Sequence, residues 1–178
     1  IENLGIRDEY VTQIKASSAR NLGRYDDSEG AWKLLLRKSS KRADYAFALA
    51  EVLTRQRKDA EALKVLSPFA RNNDQLNPSC LALSCDIEEH RGKPEVAFSL
   101  LNACYARIQD EVPLLLKHIQ LGYTVGKEED SHRSLKRLDV LRRQGKVSKE
   151  LFTLVPFERI KEIIKSSHES WKNLKQLY

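Results

Sequence analysis

Apolar residues recur along this chain with the three-to-four spacing of a helix face, and the recurrence itself repeats. Ala46, Leu49, Ala50 and Leu53 stand at i, i+3, i+4 and i+7, which lines one face of a helix. Arg55 to Lys58 interrupts the pattern, and a return helix follows with Ala62, Leu63, Leu66 and Phe69. Twelve residues separate Ala50 from Ala62, and four more lead to Leu66. The same spacing connects Cys85, Ala97 and Leu101 and, further back, Ala19, Ala31 and Leu35. This is an internal repeat of 31 to 35 residues, a period that marks an α-helical array. No stretch alternates with the period of two that a strand requires, so the expected fold is all-α.

Punctuation along the chain divides it into four helix pairs, over residues 10–38, 44–72, 78–109 and 112–145. In the first, Tyr10, Val11 and Ile14 lead to a helix end near Leu22-Gly23, and Tyr25 to Ser28 reads as a turn with N-cap side chains. Asp44 and Asp59 are the expected caps of the second pair, and Pro68 should kink or shorten its return helix. Asn77-Pro78 and Lys93-Pro94 open the helices of the third pair, with proline at the first helical position. Its return helix is expected to run from Val96 to Ile108. Asp110 and Pro113 begin the fourth, Gly126 turns it, and it ends at Gly145. Residues 146–178 read as C-terminal capping helices, the last with Phe157, Ile160, Ile164, Trp171, Leu174 and Tyr178 at helical spacing. That last helix either closes the array or is itself an interaction element.

Composition narrows the class. Of 178 residues 41% are apolar and 31% charged, enough for a core under a polar surface. No apolar run approaches the roughly 18 residues of a membrane span, and the start lacks the regions of a signal peptide. The chain begins at Ile1 and contains no Met, so a fragment of something longer is expected. Cys80, Cys85 and Cys104 are an odd, sparse set, which favours buried thiols in a reducing, intracellular setting, cytoplasm or nucleus. No metal or cofactor is expected, because the cysteines and histidines do not converge. The net charge of +6 belongs to the C-terminal part, where residues 131–178 carry 12 basic and 5 acidic side chains.

The small residues Ala19, Ala50 and Cys85, the alanines Ala31, Ala62 and Ala97, and Leu35, Leu66 and Leu101 resemble the tetratricopeptide repeat (TPR) pattern, with Gly92 and Gly126 as turn glycines. A pentatricopeptide array shares nearly the same period. The resemblance implies a right-handed array of about four antiparallel helix pairs with a concave groove. Carried over by position, the groove presents Gln13, Arg20 and Arg24, then Phe47, Glu51 and Arg55, then Ala82, Asp86 and Glu89, then Leu116, Gln120 and Tyr123. The lysine and asparagine clamp for a C-terminal carboxylate is missing, since Ala16, Arg20, Glu51, Ala82 and Asp86 stand in its place.

Three functions compete. An enzyme is disfavoured: no Gly-rich phosphate loop, G-x-S-x-G or H-E-x-x-H occurs, and His118 and His132 lie among charged residues. Adjacent carboxylates such as Glu88-Glu89 read as solvated or capping groups. Nucleic-acid binding has a basis in Arg133, Lys136, Arg137 and Arg143 on one helical face, with Lys146, Lys149, Lys161 and Lys165 beyond it. The preferred expectation is a non-catalytic protein-interaction module, a scaffold or adaptor. Its groove takes a peptide or helix of a larger assembly, and its basic face docks an acidic partner or RNA.

Overall fold

The computed structural model describes residues 2–71 and 75–147, with side chains from Asp8 onward. Within them every regular element is helical: α1 (Glu2–Asn21), α2 (Tyr25–Lys38), α3 (Ala43–Arg55), α4 (Asp59–Ala70), α5 (Pro78–His90), α6 (Pro94–Ala103), α7 (Tyr105–Ile108), α8 (Val112–Thr124) and α9 (Glu128–Arg143). The proposed capping segment beyond residue 147 lies outside the described residues. The chain divides into two compact units, Ile1–His90 and Arg91–Tyr178. In the first, α1 packs on α2, α2 on α3, α3 on α4, and α5 on both α3 and α4. In the second, α8 packs on α6 and α9.

The turns reveal the true repeat. Gly23, Arg57, Gly92 and Gly126 all have φ between 63° and 74°, and they stand 34, 35 and 34 residues apart. A helix that ends in this left-handed conformation can return its next N–H to a carbonyl one turn back. Arg24 N donates to Ala19 O at 2.8 Å, Lys58 N to Leu53 O at 2.9 Å and Lys127 N to Gly122 O at 2.7 Å. Glycine suits the site because it has no Cβ to clash; Arg57 occupies it with one.

The same period corrects the register of the first pair. Ala19 and Ala31 are only partly buried. Ala16, Ser28 and Trp32 occupy the equivalent positions instead, three residues earlier, while Leu35 is buried as expected. The Ser28 hydroxyl donates to Ala16 O at 2.8 Å, so a serine fills the close crossing of α1 and α2. Ser131 repeats the device twelve residues after Ile119, donating to Ile119 O at 3.3 Å. Ala50, Ala62 and Leu66, and likewise Cys85, Ala97 and Leu101, are fully buried as the pattern required.

Other expectations shift with the caps. Tyr25 to Ser28 is the first turn of α2 rather than a loop, and neither Asp44 nor Asp59 caps. Both lie inside the first turn, where their charge complements the helix dipole. Asp44 instead forms a two-point ion pair with Arg42 at 2.7 and 2.9 Å. Asn77 does cap α5, accepting from Cys80 N at 3.1 Å ahead of Pro78. α4 runs through Pro68 and stops two residues later. The helix expected as far as Ile108 breaks at Cys104, whose N–H bonds three residues back to Leu101 O at 3.1 Å. A four-residue α7 then buries Ile108 completely. All three thiols are buried and none forms a disulfide.

Candidate functional site

In the N-terminal unit the expected groove residues project from α1, α3 and α5. Arg20 and Glu51 meet across α1 and α3 at 2.5 Å, each side chain about one-third exposed. Arg24 turns away to Asp27 in the first turn of α2, at 2.7 Å. Phe47 is half-buried against the core, Gln13 half-buried, and Arg55 exposed. Asp86 and Glu89 on α5 are also half-buried. Glu88, expected to be solvated, is buried with only 6% exposure.

In the C-terminal unit Gln120 is half-buried, but Tyr123 does not face a groove. It is 6% exposed, because Leu115, Ile119 and Tyr123 form one i, i+4 ridge into the core. Its ring meets His132 edge-on at 5.9 Å, and burial raises its phenol to about 12. Among the described residues its hydroxyl has no hydrogen-bond partner, nor has His132 Nε2.

The basic face is largely neutralised within the protein. Arg133 pairs with Asp130 at 3.1 Å, donates to Asn102 Oδ1 at 2.9 Å and lies over the Tyr105 ring at 4.1 Å. Arg137 pairs with Asp110 and donates to Gln109 O at 3.2 Å. Arg142 and Arg143 grip the buried Asp139 at 2.8 and 2.7 Å and hold its carboxyl below the usual range. Lys136 and Lys146 are exposed and carry no ion pair among the described residues. Lys149, Lys161 and Lys165 lie outside the described residues.

Three buried polar clusters were not anticipated. His118 is not among surface charges but fully buried in α8, between the rings of Phe98 and Tyr105 at 4.8 and 5.2 Å. Its Nδ1 lies 2.9 Å from Ser134 Oγ and its Nε2 3.4 Å from Asn102 Oδ1. The assignment that serves both places the proton on Nε2, with the serine hydroxyl donating to Nδ1. Burial pulls the imidazole down to about 4, with Asp130 opposing and Arg133 assisting. The signal was present in sequence: His118 falls three residues after Leu115 and four before Gly122, on the apolar stripe.

The second cluster is Glu29, nearly buried in α2, which accepts from Lys33 and, at 2.7 Å, from Lys58. These bonds hold its carboxyl down at about 2. In the third, the buried Tyr45 donates its hydroxyl to Glu9 and lies under the Arg42 guanidinium at 4.4 Å. Burial and the Glu9 bond raise its phenol to about 12. No group of His, Cys, Asp and Glu among the described residues could hold a metal ion, and no described helix is long and apolar enough to cross a membrane. No family model, curated protein or solved structure matches this chain.

Proposed function

We propose that the chain is an intracellular, non-catalytic protein-interaction module: a right-handed, TPR-like array whose α1, α3 and α5 faces receive a peptide or helix of a larger assembly. The observation that carries this reading is the return of the left-handed turn residue every 34 or 35 residues, with small residues or a serine hydroxyl at the crossings. Such periodicity builds a stacked surface, and stacked surfaces present long, shallow faces to partners. Arg20 and Glu51 supply partly exposed charge on that face, with Phe47 one helical turn before Glu51 on α3.

The test is capture from cell extract with the 178-residue chain, with and without nuclease, analysed by mass spectrometry. Exchanging Arg20→Glu with Glu51→Arg keeps the ion pair and reverses its direction across the face. The exchange should remove the specific partners while leaving the helical circular dichroism intact. Identical capture by both proteins would reject the face. Partners lost to nuclease would instead favour RNA on α9, a reading that the existing Arg133–Asp130, Arg137–Asp110 and Arg143–Asp139 pairs weaken.

A further inference from the structure

Among the described residues of the N-terminal unit, the outward side of α1 is left exposed. Tyr10 is 63%, Val11 40% and Ile14 48% exposed, on the side of the helix opposite the fully buried Ala16. Three large apolar side chains within two turns form a continuous strip rather than scattered surface residues. Along one edge of that strip stand Asp8 and Lys15, both exposed and neither ion-paired among the described residues. They are seven residues apart, so they share one edge of the helix.

That arrangement is complementary to itself when reversed. In an antiparallel helix pair the same edge of each helix faces its own copy. Asp8 of one chain then meets Lys15 of the other, and Lys15 meets Asp8, giving two ion pairs. The same register places Val11 of each chain beside Ile14 of the other, with Tyr10 covering the opposite edge. A parallel pairing would instead set that edge against the Tyr10 edge of the other copy and leave Asp8 and Lys15 without each other. We infer that α1 is a self-association face, on which a second copy of this chain docks antiparallel through Val11 and Ile14 with reciprocal Asp8–Lys15 ion pairs. The small strip places the dimer among weak, reversible interfaces, with a dissociation constant on the order of 100 µM.

Sedimentation equilibrium of the 178-residue chain, from about ten-fold below to ten-fold above that concentration, tests the proposal. The weight-average mass should rise from the 20.5 kDa monomer towards twice that value. Ile14→Glu should abolish the rise. Lys15→Glu should weaken association about ten-fold by placing like charges opposite each other. Combining Lys15→Glu with Asp8→Lys should restore it, because the reversed charges again face their opposites. All these positions are exposed, and circular dichroism should report an unchanged fold. A constant monomer mass overturns the proposal, as does association indifferent to Ile14→Glu. Failure of the double reversal to recover the Lys15→Glu loss overturns the antiparallel register. A monomer whose α1 strip is shielded by another segment of its own chain would show the first of these outcomes.

Discussion

Protonating His118 should selectively weaken the helices that enclose it. The imidazole is fully buried between two aromatic rings, and its nearest charges, Asp130 and Arg133, oppose each other's influence. In the unfolded chain it takes up a proton near pH 6.5; folded, it does so only at about 4. Protons therefore bind the unfolded state more readily between those values, and stability falls as pH descends through that window. The contribution is complete above pH 6.5 and lost by the time pH reaches about 4. The whole gap corresponds to about 3 kcal/mol, of which slightly less is lost between pH 7 and pH 4.

The assay is urea denaturation followed by circular dichroism, at pH 7 and at pH 4, on the wild-type chain and on His118→Gln. The readout is the difference in pH dependence between the two, since every other group is common to both proteins. The wild type should lose about 2–3 kcal/mol more than the variant over that interval. A direct check is the imidazole proton resonance of His118, which should still report a neutral ring at pH 5. Parallel stability curves, or a resonance titrating near pH 6.5, would refute the reasoning.

Other consequences are as concrete. Arg57→Gly should stabilise the N-terminal unit by about 1 kcal/mol in thermal or urea unfolding, because it removes a Cβ from a residue at φ 63°. Gly122→Ala should cost about 1–3 kcal/mol, since the new Cβ overlaps Ser131 Oγ and stands 3.1 Å from Phe98 Cε2. Adding Ser131→Ala should recover part of that loss; no recovery would mean the ring, not the hydroxyl, sets the cost. Glu29→Gln should destabilise by about 1 kcal/mol at neutral pH by leaving Lys33 and Lys58 without their shared carboxylate. That difference should disappear as pH falls from 4.5 through about 2, where the wild-type carboxyl is itself protonated.

The helices and most of their limits were legible because proline, glycine and three-to-four apolar spacing all pointed the same way. The all-helical class needed nothing more. What misled was the chemistry of serine. Read as a sequence, Ser28 belongs to a polar turn; in the protein it occupies the crossing that alanine takes at Ala62, with its hydroxyl spent on Ala16 O. Alanine at positions 19 and 31 offered a false match three residues away. Tyr123 failed for a related reason: positional analogy placed it on a groove, whereas the Leu115–Ile119 ridge carries it inward. The basic face was visible as a charge count but its neutralisation was not. Asp110 meets Arg137 only because α9 folds back past the start of α8, which charge spacing along one helix does not reveal.

The three buried thiols have a use that follows from their burial alone. Cys80 and Cys85 lie in α5 of the N-terminal unit, and Cys104 at the α6–α7 break of the C-terminal unit. Burial raises the Cys80 thiol to about 11 and also lifts that of Cys104, so neither offers thiolate to a reagent while its helix stays closed. A thiol-specific label added under native conditions therefore advances only as fast as the surrounding helices open. The chain carries its own clocks, one set in each unit, and peptide mapping of the labelled sites would time their opening separately without altering a residue.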